Sequence, residues 1–142
     1  MPPTENDVSD EDWHNDNEVS NNELLWRVIH EVWIRDHPFI PGKFIASGQA
    51  YRRVELSVFL SSQTTQEKVL SRWPGDSLVS FTVDYIRNEL GLILVHDPKD
   101  KDIDPAHRLV GRIDHINMSK GTAHKIALKA EWVMFNHNQH GE

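Results

Sequence analysis

The sequence predicts an α+β fold: one domain with a mixed sheet of about five or six strands, about three helices and an acidic N-terminal tail. Three observations carry this expectation. Short runs of β-branched and aromatic residues alternate with segments of helical periodicity. Two helix-to-strand passages, at Gly91 and Glu131, are too short for long crossovers. The acidity is confined to one end. Residues 1–23 hold eight acids and no Lys or Arg, so their charge is -8, whereas the other 119 residues hold 14 acids and 15 bases. The net charge of -7 therefore describes the first segment and not the body. With only Val8, Trp13 and Val19 as large apolar groups, residues 1–23 are expected to stay disordered, because so little burial does not offset chain entropy. Trp13 stands out as an aromatic that could dock in a groove.

The domain is expected over residues 24–136. Leu24–Ile34 carries apolar residues at Trp26, Val28, Val32 and Ile34 and polar ones at Arg27 and Glu31, which favours a strand. Asp36-His37-Pro38 and Ile40-Pro41-Gly42 mark a turn-rich connection. Val54–Leu60 is dense in β-formers. Thr64-Thr65-Gln66-Glu67 then has capping-box spacing from Thr64 to Glu67 and opens a short helix stopping before Pro74-Gly75. Ser77–Phe81 reads as a strand and Thr82 as the cap of a helix over Val83–Leu90, closed by Gly91. Leu92–Val95 and His107–Ile113 are further strands. Ser119 caps the last helix, whose stripe is Ala123, Ile126, Ala127 and Ala130. Trp132–Phe135 is the final strand, and residues 137–142 are expected to fray.

Zero cysteines exclude disulfides, thiolate metal sites and a cysteine nucleophile. The first residues have neither a cationic nor an apolar stretch of the export type, and no apolar run approaches the ~20 residues that span a bilayer. A soluble, cytoplasmic protein without membrane contact is expected. The spacings HxH, HxxxH and HExxH are absent, as are phosphate-loop glycines and GxSxG, so no cofactor and no metal is expected. Asp100, Asp102 and Asp104 alternate like a calcium loop but lack its glycine and closing glutamate.

Three groups of side chains remain. His96 ends one strand and His107 begins another, so the pair could meet at one end of the sheet as general acid and base. Arg27 and His30 stand with Ser57, Ser61 and Ser62 on neighbouring elements, and an arginine fork suits an anionic or nucleotide ligand. Between Pro105 and Ala130 lie Arg108, Arg112, Lys120, Lys125 and Lys129 against one acid, Asp114, with His107, His115 and His124 adding charge at low pH. Arg27, His30, Arg108, Arg112, Lys125 and Lys129 are thus the candidate anion-binding residues. Arg52-Arg53 beside Tyr51 is too small a patch to make a stacking platform. The leading expectation is an interaction module with a protein partner, or an anionic one such as nucleic acid, reached through the basic C-terminal region. The alternative is a small enzyme acting on a phosphate-bearing substrate, with His96 and His107 as acid and base. Oligomeric state is not legible.

Overall fold

A computed structural model describes residues 8–97 and 104–136. Asp100 and Asp102 of the calcium-like alternation, and the expected frayed end, lie outside the described residues. Eight strands form: β1 (Leu24–Ile29), β2 (Ile34–Asp36), β3 (Phe44–Ala46), β4 (Leu56–Leu60), β5 (Ser77–Thr82), β6 (Ile93–Val95), β7 (His107–Gly111) and β8 (Glu131–Met134). Two α-helices accompany them, α1 (Gln66–Leu70) and α2 (Lys120–Lys129), with a π-helical turn over Tyr85–Glu89. Six strands make one sheet in the order β6-β7-β4-β1-β5-β8, and β2 with β3 makes a separate hairpin. The α+β class and the six-strand sheet agree with the sequence. The pairings are all antiparallel rather than mixed.

Period-two alternation divides the sheet into two buried faces. Leu25, Ile29, Leu56, Val58, Leu60, Val79, Leu94 and Val110 point toward α2, where Ala123, Ile126 and Ala127 meet them with Tyr51. Trp26, Val28, Phe59 and Leu78 point the other way, against Val69 of α1 and Trp73. A fully buried aliphatic side chain such as Ile126 or Leu78 contributes about 1.5–3 kcal/mol by burial. Because both faces are covered, β1 reads as a near-continuous apolar run, with Leu25 and Ile29 buried on one face and Trp26 and Val28 on the other.

The local signals hold with small displacements. Ser119 Oγ accepts the Thr122 N–H and caps α2, and Thr82 Oγ1 accepts the Tyr85 N–H at the turn that follows β5. Gly91 has φ +67°, the left-handed closing position where glycine has no Cβ penalty. The α1 cap moves from Thr64 to Thr65, whose Oγ1 accepts the Lys68 N–H. A 3₁₀ turn at Ser61–Gln63, directly off β4, leaves Thr64 extended and shifts the helix start by one residue.

β1 and β4 are joined only at Leu25↔Leu60 and Trp26↔Phe59. Beyond these pairs Arg27 connects them. Its Nε and Nη2 donate to the Ala50 carbonyl at 3.1 and 2.9 Å, and its Nη1 donates to the Ser57 carbonyl at 3.2 Å.

The segment expected to be an unpacked tail is packed over residues 8–23. Val8 and Trp13 bury against Ile93, Val95 and Leu109 on one face of the sheet, and Val19 joins the core on the other. Between them the chain passes over the edge of β6, where Asn15 Oδ1 accepts the Leu94 N–H and the Asp16 N–H donates to the Leu94 carbonyl. An otherwise open strand edge is thereby closed. Arg87 holds the segment from the side through the Asp16 and Val19 carbonyls, both at 2.7 Å. Composition averaged over 23 residues concealed three well-placed apolar anchors and the hydrogen-bonding use of the polar ones. Residues 1–7 lie outside the described residues.

A histidine locks this segment. His115 is buried, with φ +59°, and its ring stacks on Trp13 at 4.1 Å. Its Nδ1 meets Asp10 and its Nε2 meets Glu55, each at 2.6 Å. Trp13 Nε1 donates to the Arg112 carbonyl at 2.6 Å. Only glycine fits at position 111, where a Cβ would stand 2.4 Å from the Val54 carbonyl and 2.7 Å from the Trp13 ring. Burial favours neutral His115, but the hydrogen bonds and charges of Glu55 and Asp10 outweigh it and raise its pKa above the ordinary 6.5. Since the folded pKa is the higher one, this stabilisation is complete below about pH 6.5 and is lost as pH rises through the raised value. Urea midpoints should therefore fall between pH 6 and pH 8.5, and His115→Gln should flatten that fall while costing about 3 kcal/mol at pH 6. An unchanged pH slope in the variant would contradict the assignment.

Candidate functional site: a basic pocket at the start of α2

The residues singled out in the sequence fall in several places. Arg27 is buried between the strands. Burial, and next the Arg53 charge, lower its pKa to about 10, so it remains a cation at neutral pH. His30 Nδ1 meets Asp76 at 2.5 Å while its ring lies 4.6 Å from that of Trp33. Ser57 Oγ and His107 Nε2 are 2.5 Å apart across β4 and β7. Arg27, His30 and Ser57 line one small cavity of about 100 Å³ with Phe59 and Trp73, so the grouping of those three in the sequence corresponds to a real neighbourhood. His96 and His107 stand at the same end of the paired strands β6 and β7 but face opposite ways, His96 lining a cleft with Arg108 and Asp16 and His107 meeting Ser57.

The basic residues of the C-terminal region also disperse. Arg108 is buried and donates from Nε to Asp16 at 3.1 Å. Arg112 forms a two-pronged pair with Asp114, at 2.9 and 2.6 Å. Lys129 stands over the Tyr85 ring with its Nζ 5.4 Å from the centroid. Lys125 is on the exposed side of α2, one turn before Lys129. These four do not converge on one hollow.

A different set does. Arg35 of β2, Ser47 and Gly48 after β3, Arg52, and Lys120, Gly121 and His124 of α2 line a cavity of about 640 Å³. Each wall follows from local structure. The β2–β3 hairpin, paired as Ile34↔Ala46 and Arg35↔Ile45, projects Arg35. The Gly48–Ala50 turn lies against α2, so close that a Cβ on Gly48 would stand 3.8 Å from the His124 backbone nitrogen. Arg27 ties that turn to the sheet through Ala50. Lys120 and His124 are one helical turn apart and so share a face.

The electrostatics are one-sided. Arg35, Arg52 and Lys120 carry three positive charges, His124 adds a titratable group, and no acid lines the cavity among the described residues. Both guanidinium groups are oriented by backbone carbonyls, Arg35 through Val32 and Ile34 and Arg52 through Met118. Among the described residues neither has a carboxylate partner. The α2 N-terminus adds the partial positive charge of its first N–H groups. Ser47 Oγ is buried and has no hydrogen-bond partner among the described residues. No cluster of His, Asp and Glu fit for a metal ion occurs among them, and no helix there is long and apolar enough to cross a membrane.

Arg35 carries no signal in the sequence because the β2–β3 hairpin that projects it resembles a turn-rich connection, and Arg52 stands out there only beside Arg53 and Tyr51, with nothing to link it to Lys120. The usable signal was Lys120 and His124 at i and i+4 behind the Ser119 cap. The chain matches no protein-family model, and neither a similar curated protein nor a similar solved structure was found.

The pocket depends on the order of the first turn of α2. Ser119→Ala removes the cap and should lower stability by about 1 kcal/mol, read as a shifted urea midpoint. Amide exchange at Thr122 and Ala123 should quicken more than in β5. Equal change at both places would mean that the cap has no local role.

Proposed function

We propose that this protein is a binding module that takes an anionic group of its partner into the basic pocket at the start of α2. The single observation that carries the reading is the gathering of Arg35, Arg52 and Lys120 around one cavity without an acid among its lining residues. Three like charges held together repel one another, and an anion relieves that repulsion. Pre-oriented guanidinium groups also lose less freedom on binding than unconstrained ones. In the packed N-terminal segment Asp10 meets His115 and Asp16 meets Arg108, and among the described residues none of its carboxylates lines the pocket.

A second reading, a small enzyme acting on a phosphate-bearing substrate, draws support from the short contact between Ser57 Oγ and His107 Nε2 beside Arg27. A base in contact with a hydroxyl is the minimum for activating that hydroxyl. The cavity there is only about 100 Å³, small for a substrate, so the binding reading is preferred.

Calorimetric titration with inorganic pyrophosphate tests the proposal. Arg52→Ala and Lys120→Ala should each weaken binding about tenfold, the equivalent of ~1.4 kcal/mol. Lys125→Ala should leave it unchanged, and raising the salt should weaken the wild type more than either pocket variant. Equal binding by wild type and both pocket variants would sink the proposal.

A further inference from the structure

We infer that the group bound by this pocket is the terminal phosphoryl group of a small phosphate monoester and not the phosphodiester backbone of a nucleic acid. The inference rests on the anion-binding reading of the same pocket and narrows it to one ligand class.

Convergence is the first argument. The three cations come from three separate stretches of chain, Arg35 from β2, Arg52 after the Gly48–Ala50 turn and Lys120 from α2, and they surround one hollow. A monoester phosphate offers three terminal oxygens and carries close to two negative charges at neutral pH, whereas a diester offers two oxygens and one charge. A nucleic-acid site instead needs bases spaced along a track, so that successive phosphates are met in turn. Two cations of the same C-terminal region are engaged elsewhere, Arg112 with Asp114 and Lys129 over the Tyr85 ring.

Hydrogen-bond donors are the second argument. At the start of α2 the Thr122 N–H goes to Ser119 Oγ and the Ala123 N–H to the Ser119 carbonyl. The N–H groups of Lys120 and Gly121 have no acceptor among the hydrogen bonds of the described residues. Gly121 leaves the space before them open, since a Cβ there would meet nothing nearer than Ser119 Oγ at 4.0 Å. Bare N–H groups at a helix start are suited to phosphate oxygens. Independently of the helix, Ser47 lines the same cavity, and its enclosed hydroxyl has no partner among the described residues.

Size is the third. A cavity of about 640 Å³ exceeds what a phosphate group fills and falls in the range of about 300–1,000 Å³ usual for small-molecule sites. Room remains for the organic part of the ester.

The test compares phenyl phosphate with methyl phenyl phosphate, which keeps the ring and loses one charge and one terminal oxygen. Calorimetry on the full chain should give one saturable site binding phenyl phosphate at least tenfold more tightly than the diester. Gly121→Leu, which adds a bulky side chain beside the two N–H groups, should weaken phenyl phosphate at least tenfold without lowering the urea midpoint, since leucine favours the helix more than glycine does. A single-stranded oligonucleotide without terminal phosphate should not displace phenyl phosphate at equal concentration. Equal affinity for the two esters, or displacement by the oligonucleotide, overturns the monoester assignment. If pyrophosphate still binds and responds to Arg52→Ala, the broader anion-binding reading stands. If pyrophosphate also fails, both fall.

Discussion

The guanidinium of Arg27 holds the middle of this structure together. β1 and β4 share only two paired positions before they diverge, and an unfilled gap there would leave carbonyl groups buried without donors. Arg27 fills it from within, reaching the Ala50 carbonyl with two nitrogens and the Ser57 carbonyl with a third. Through Ala50 it fixes the turn that walls the basic pocket, and through Ser57 it fixes the strand that meets His107. The charge is accommodated by several hydrogen bonds and by the Trp33 ring 5.4 Å away, which a lysine could not reproduce with the same planar fork. An arginine that the sequence marks as a candidate ligand group thus has its donors on backbone carbonyls, and it supports one wall of the basic pocket.

The N-terminal segment follows the same economy of polar contacts. Its carboxylates do not form a repulsive tail, because Asp10 and Asp16 find His115 and Arg108, two cations of the region that the sequence groups as an anion-binding surface. Two intramolecular pairings therefore tie the acidic start to the basic C-terminal third. Arg35, Arg52 and Lys120, which have no acidic partner among the described residues, line the pocket at the start of α2.

Much of the fold was legible because the local rules agree with the tertiary ones. Strands β4, β5, β6 and β7 lie within or close to their apolar runs, and Ser119, Thr82 and Gly91 act as the caps and stops their chemistry implies. The parts that were not legible need contacts between residues distant in sequence. β3 is three residues long and its partner β2 is equally short, so neither carries enough alternation to be recognised. That omission hid the pocket, since Arg35 and Arg52 meet Lys120 only after the hairpin folds toward α2. The neighbourhood of Arg27, His30 and Ser57 was legible because adjacent antiparallel strands place near neighbours together. His96 and His107 come to the same end of the adjacent strands β6 and β7, but the one-residue offset in register turns them to opposite faces, a parity that only the pairing fixes.

Amide chemical-shift mapping during a phenyl phosphate titration is the sharpest test of whether the Arg35–Arg52–Lys120 pocket receives a phosphoryl group. The largest shifts are expected at Ser47–Arg52 and Lys120–His124, all saturating with a single affinity. Shifts centred on Arg108 and Arg112, or on Ser57 and His107, with the α2 start unmoved, would contradict it.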